Sequence, residues 1–227
     1  VIIRVIFKMR GGIVMRQSRT FIPTTREVPS SAEAISHKLL IKAGMVKQVS
    51  AGVYTYLPLA TKVIQNIEKV IRDEHAKIGA SELLMPILQS EDYWKQSGRW
   101  YKMGDELIRV TDRKNAGYAL SPTAEEVICQ TVSNMVTSYK QLPVNLYQIQ
   151  TKFRDEIRPR LGLLRGKEFI MKDGYSFHDS PESLRETYND YYQAYSNIFD
   201  RFELKYRAVK ADSGNIGGSY THEFQAL

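Results

Sequence analysis

Between Val144 and Glu156 the side chains alternate with a period of two, and no other stretch of this chain restricts the fold so narrowly. Tyr147, Ile149 and Phe153 take one side of the extended segment; Gln148, Gln150, Lys152, Arg154 and Glu156 take the other. After a turn region holding Pro159, Gly162 and Gly166, a second extended run over 167–175 sets Phe169, Met171, Asp173 and Tyr175 on a common face. Together they read as an antiparallel hairpin with two unlike sides. The polar side has a bland reading, a solvated face with no task, which is common in antiparallel sheets. It also has a chemical one. Arg154 and Glu156 stand beside Phe169, under a loop carrying Arg158, Arg160 and Arg165. Cations for phosphates, a ring to stack on a base and a carboxylate for its amine suit a nucleoside triphosphate. Spacing alone leaves both readings open.

The rest of the chain supplies helices around such a sheet. Ser30-Ser-Ala-Glu33 reads as a capping box opening a helix with Ile35, Leu39 and Leu40 on its apolar side, stopped at Gly44. Ala60, Val63, Ile64, Ile67, Val70, Ile71 and Ile78 recur at helical spacing until Gly79, and a short strand, Glu82 to Pro86, follows. Residues 91–120 read as a hairpin with mixed loops around Glu106–Val110. Ser121 to Glu126 opens a helix running to about Tyr139, and Thr123-x-x-Glu126 reads as a capping box of its own. Ser180-Pro181 caps a helix with Leu184, Tyr188, Tyr191, Tyr192, Tyr195, Ile198, Phe199 and Phe202 on one face. A tyrosine row of this kind can stack on nucleic acid, but its strict helical spacing favours core packing. The glycines of Ser213–Ser219 and the alternation beyond them read as a turn into a strand. Strands mixed with segregated helices make an α+β domain.

Composition narrows the classes. At 227 residues, 43% hydrophobic and 25% charged, the chain can bury a substantial core. The single cysteine, Cys129, excludes a disulfide framework and fits a reducing cytoplasm. The four histidines lack metal-ligand spacing, and no metal ligands are assigned. A net charge of +7 permits a polyanionic partner such as RNA without requiring one. The apolar start, Val1 to Lys8, is broken by Arg4 and Lys8, is too short to span a bilayer and has no signal-cleavage pattern; no membrane association is expected.

Phe153-Arg154-Asp155-Glu156, followed by Arg165-x-x-x-Phe169-x-x-x-Asp173, resembles motif 2 of the class II aminoacyl-tRNA synthetases, and the wording of 146–178 is similar to that of bacterial-type prolyl-tRNA synthetases. The likeness runs from Met15 to Leu227, which leaves 1–14 as an upstream extension. It implies the class II catalytic fold, an antiparallel sheet flanked by helices, incomplete at its C-terminal end: no motif 3 and no anticodon-binding domain are found, and the chain stops where such enzymes carry an editing insertion. On its own such a first part is expected to show negligible proline-dependent ATP–pyrophosphate exchange. The long helix feeding a proline-ended strand resembles motif 1 and implies a homodimer through residues 57–86.

The resemblance also implies roles. Arg154 would bind the α-phosphate of ATP and the attacking carboxylate, Glu156 the adenine amine, Phe169 the ring, and Arg165 the outer phosphates of a bent ATP, with Mg²⁺. Arg154 and Arg165 are thus the candidate catalytic residues. Arg158 and Arg160 would help there or meet the acceptor end of tRNA(Pro). Thr123 and Glu125 match a loop that binds proline. With Arg154 they would hold the amino acid, while Asp173 supplies a second anion for its ammonium and Tyr175, Phe177 and His178 shape the walls. Two other readings stay open: another class II synthetase for a small amino acid such as serine or threonine, and a non-catalytic RNA-binding or regulatory relative.

Overall fold

The computed structural model describes residues 16–30, 32–212 and 220–227. The upstream extension, Ser31 of the first capping box and the glycines of 213–219 lie outside the described residues. Helix α1 (Ile35–Lys42) follows Ala34, which makes no side-chain cap, so the Ser30–Glu33 box does not open it. Gly44, at φ +61°, stops it as expected. Its apolar side is turned from the expected one: Ile35 and Leu39 are exposed while His37 is buried, edge-on to Tyr54 at 5.5 Å.

Strands β1 (Val46–Ser50) and β2 (Val53–Tyr56) form a small hairpin. Helix α2 (Pro58–Lys77) starts on proline, where the missing N–H costs nothing. Strands β3 (Ser81–Glu82) and β4 (Leu88–Ser90) follow. Residues 91–120, expected as a hairpin with loops, divide differently. Helices α3 (Glu91–Gln96) and α4 (Arg99–Lys102) come first, and the hairpin is β5 (Arg109–Thr111) with β6 (Gly117–Leu120). Ser90 Oγ accepts from Asp92 N and starts α3, which drives Trp94 fully out of solvent against Leu107 and Ala119. Helix α5 (Glu125–Met135) is shorter than its sequence implied. A separate 3-10 turn, Tyr139–Gln141, carries its own capping box from Ser138 and Gln141.

Strands β7 (Val144–Phe153) and β8 (Glu168–Phe177) pair antiparallel over ten positions, with Gln148 opposite Asp173 and Lys152 opposite Phe169. β3 joins β7 in parallel, and β4, β6 and β5 make a second three-stranded sheet. Helix α6 (Pro181–Arg201) begins with Ser180 Oγ accepting from Ser183 N. It packs against α2 and against a hairpin of β9 (Tyr206–Lys210) and β10 (His222–Ala226). The tyrosine row of α6 makes ring contacts within the protein: Tyr192, Tyr195 and Phe199 meet Phe224, and Tyr191 and Tyr195 meet His75. Core packing is the better account of that row, although Leu184 is half exposed. On α2 the most deeply buried positions are polar: Glu74 meets Asn197 and Arg201 of α6, and His75 lies among the rings of Tyr147 on β7 and Tyr191 and Tyr195 on α6. Among the described residues no helix is long and apolar enough to cross a membrane.

Candidate active site

The polar side of β7 is not a solvated face. Gln148 and Lys152 have no exposure and Gln150 has 9%, so the row expected to face water or ligand is the floor of a closed layer. Buried polar groups need partners, and these have them. Gln148 accepts from Met85 N at 3.1 Å and donates to Asp173 Oδ2 at 2.9 Å. Gln150 donates to Met85 O, and Lys152 Nζ reaches Gln150 Oε1 (3.3 Å), Ser121 Oγ (3.4 Å) and Asp173 Oδ2 (3.3 Å). Burial pushes the Lys152 ammonium below its ordinary range, against the pull of Asp173. Ser121 passes the network on to Thr123 O at 2.8 Å, and Gln89 bonds both Ser121 Oγ and Thr123 O.

This layer holds two carboxylates. Asp173 Oδ2 takes bonds from Gln148, from Tyr175 OH at 2.6 Å and from Lys152, whereas the buried Oδ1 has no partner among the described residues. Tyr175 OH in turn accepts from Ala124 N at 2.9 Å and so ties Asp173 to the start of α5. Burial, with Glu125 and Asp173 nearby, pushes the Tyr175 phenol far above its usual range, so it acts as a neutral donor. At the other carboxylate the capping box read at Thr123–Glu126 does not form: α5 has no side-chain cap, and Thr123 Oγ1 donates to Glu125 Oε2 instead. Glu126 is drawn away by Ser97 Oγ (2.9 Å) and Arg99.

At the loop end of the hairpin, the guanidinium of Arg154 lies over the Phe169 ring at 5.4 Å, and its buried Nε has no partner among the described residues. Arg165 and Glu156, expected on different parts of a nucleotide, are paired with each other at 2.6 Å. Glu156 also accepts from Arg158 N at 2.9 Å; Arg165 and then that N–H hold its carboxyl below the usual range. A cleft of ≈570 Å³ opens here, lined by Asp105, Glu106, Asp155, Glu156, Ile157, Arg165 and Lys167. The backbones of Arg160 and Arg165 bridge to close the loop above it.

His178 stands apart. It lies past the end of β8, its Nδ1 2.9 Å from Ser183 Oγ at the start of α6, and among the described residues no hydrogen bond links it to Asp173. Arg154, Phe169, Asp173 and Tyr175 share the hairpin face, and Tyr175 brings Thr123 and Glu125 to it. No sequence pattern marks Arg99, which bonds Thr123, Glu125 and Glu126 from a loop-bounded helix of four residues. Gln148, Gln150 and Lys152 were legible as a row but not as a buried one. Among the described residues no three His, Cys, Asp or Glu side chains gather as a metal-holding group.

The family described as the tRNA synthetase class II core domain (G, H, P, S and T) matches residues 106–227. Proline–tRNA ligases of Bacillus pumilus (strain SAFR-032) and Lysinibacillus sphaericus (strain C3-41) are 61% and 62% identical to the chain over 213 residues, 94% of its length. The chain spans only 38% of either protein. Among solved structures, Giardia lamblia prolyl-tRNA synthetase in complex with prolyl-adenylate aligns with 76% of the chain and 36% of its own at a TM-score of 0.71 and 25% identity. The Cryptosporidium parvum enzyme complexed with halofuginone and AMPPNP shares the fold at a TM-score of 0.74, over 82% of the chain and 39% of its own, with 18% identity. The paired β7–β8 hairpin with its arginine-bearing loop lies within the matched residues, and by that match the chain belongs to the class II tRNA synthetase core family.

Proposed function

We propose that the chain is the ATP- and proline-binding part of a proline–tRNA ligase. The ligase joins the carboxylate of proline to the α-phosphate of ATP, releases pyrophosphate, and passes the prolyl group to tRNA(Pro) with AMP as the leaving group. One observation carries the reading: a single hairpin face bears Arg154 against Phe169 at one end and Asp173, with an orphaned buried oxygen, at the other. An amino acid is a zwitterion, and such a face offers it a cation for the carboxylate and an anion for the ammonium. Little covalent work is needed in this transfer; the protein positions the reactants and offsets developing charge.

Arg154 therefore binds the α-phosphate together with the attacking carboxylate, its planar fork suiting two oxygens at once. Phe169 stacks on adenine, Glu156 accepts from the adenine amine, and Arg165 holds the outer phosphates. Thr123, Glu125, Asp173 and Tyr175 bind the amino acid. His178 is a more distant wall, and its bond to Ser183 makes it the weakest of the set. Mg²⁺ enters with the triphosphate, taking its ligands from phosphate oxygens and water, as that ion commonly does. Residues 15–227 belong to one synthetase core. The whole protein works as a cytoplasmic homodimer through 57–86, a reading supported by the exposed Ile67 and Leu84 in that stretch and by the free thiol of Cys129.

Titrating the chain with ATP, alone and with saturating proline, serine or threonine, tests the assignment. Proline should tighten ATP binding and the other two should not, since the bound carboxylate and the α-phosphate share Arg154. Equal ATP affinity with and without proline, or coupling to serine instead, would sink the reading.

A further inference from the structure

Arg99 stands outside the set assigned above to the nucleotide, and it holds both members of the Thr123–Glu125 pair. Its Nη1 lies 3.0 Å from Glu125 Oε2 and 3.0 Å from Glu126 Oε1, and its Nη2 donates to Thr123 Oγ1 at 3.3 Å. The guanidinium sits 5.0 Å from the ring centre of Trp94, which is fully buried. Trp94 Nε1 donates to Gln89 Oε1 at 2.9 Å, and Gln89 in turn holds Thr123 O at 3.3 Å. The fork is thus laid on a ring that is itself tied to the loop the fork grips. A long side chain normally loses much rotamer freedom when it makes such bonds; stacking on a fixed ring restricts Arg99 before any ligand arrives.

The consequence falls on Glu125. Its hydrogen bonds among the described residues, from Thr123 and from Arg99, all land on Oε2. Asp173 has the same asymmetry, one oxygen engaged by the protein and the other without a partner. Glu126 sits beside Glu125 with a side chain only 1% exposed, and Arg99 is the cation that offsets it. Without Arg99 two adjacent carboxylates would repel each other and the Glu125 carboxylate would lose its fixed orientation.

We propose that Arg99 is a positioning residue of the amine pocket: it clamps Thr123 Oγ1 and Glu125 Oε2 against the Trp94 platform and leaves Glu125 Oε1 to accept an N–H of the substrate ammonium. A secondary ammonium has two N–H groups, and Glu125 Oε1 with Asp173 Oδ1 supplies one acceptor for each. This rests on the proline reading above and adds the residue that orients the pocket's outer anion.

The test is calorimetric titration of the chain with proline, and separately with ATP, for the unaltered chain, Arg99→Lys, Arg99→Met, Glu125→Gln and Arg99→Met with Glu125→Gln. By analogy with outer-shell partners of metal ligands, Arg99→Met should weaken proline binding about 10- to 100-fold. ATP affinity should stay within about twofold, as for independent sites. Arg99→Lys, with charge kept and fork lost, should fall between, and it carries the test if Arg99→Met does not fold. In the Glu125→Gln background, Arg99→Met should add less than about threefold, because Arg99 acts through Glu125. Loss of proline and ATP binding in equal measure would make Arg99 a structural residue only. An unaltered chain that binds ATP but no proline sinks the amine pocket and this assignment with it. An unaltered chain that binds proline, with Arg99 variants that bind it as well, sinks the Arg99 assignment alone.

Discussion

Lys152 brings an ammonium to a position with no solvent exposure, where three oxygens between 3.3 and 3.4 Å replace water. Such a pair is weak evidence of net stabilisation, because desolvating both ions offsets their attraction. Losing one partner is another matter. Lys152→Met leaves Asp173 charged and uncompensated in the same closed layer, and it should lower unfolding stability by about 3 kcal/mol in urea at neutral pH. Lys152→Met with Asp173→Asn should recover part of that loss, since no lone charge remains. If the two changes simply add, the ion pair is not the reason the lysine matters. The identity of this residue was plain in the sequence and its burial was not. A period-2 row of Gln, Gln, Lys and Arg looks the same whether it meets water or a second polar layer, and the second layer comes from Met85, Gln89 and Ser121, far away in the chain.

Among the elements, the β1–β2 hairpin has a task its sequence did not announce. Gly52, at its turn, holds φ +77°, and its carbonyl accepts from Lys167 N at 2.8 Å, just where the arginine-bearing loop returns to β8. A methyl group at Gly52 would meet Lys167 N and Pro159 Cβ, each at 2.9 Å. Gly52→Ala should therefore cost about 2 kcal/mol of stability from the backbone conformation alone. It should also weaken ATP binding, measured by titration, more than proline binding, because the displaced segment carries Arg158 to Arg165. Unchanged ATP affinity would mean that the loop does not depend on this contact. The β7–β8 hairpin was readable because its register follows from two strands of matched length and alternation. Helix α1 was misread because a short helix with apolar residues on two sides does not say which side is covered. The tertiary partners, Tyr54 and the loop at Gly162, select His37. The four-residue helix bearing Arg99 is too short for any periodicity to reveal.

Across the whole molecule, α2, β7 and α6 meet around His75, which has no exposure and lies among Tyr147, Tyr191 and Tyr195. Burial first, and then the nearby ammonium of Lys172, push the imidazole down to about 4. The unfolded chain holds it near 6.5, so between those values the unfolded state binds the extra proton and stability rises with pH. Above about pH 7 this contribution is fully present; it is lost as pH falls from 6.5 towards 4. Lowering the pH from 7 to 5 should cost about 2 kcal/mol in urea unfolding, and His75→Gln should flatten that dependence. A profile that does not change on substitution would place the loss elsewhere.

At rest, both cations lining the cleft at the loop end are already paired, Arg165 with Glu156 and Lys167 with Asp155, while Asp105 and Glu106 add further negative charge and the neighbouring Arg154 is laid on an aromatic face. A nucleotide bound as proposed would therefore displace Glu156 and Asp155 from Arg165 and Lys167 instead of neutralising bare cations. A site built that way attracts few stray polyanions, and its grip on the right one should vary only shallowly with ionic strength.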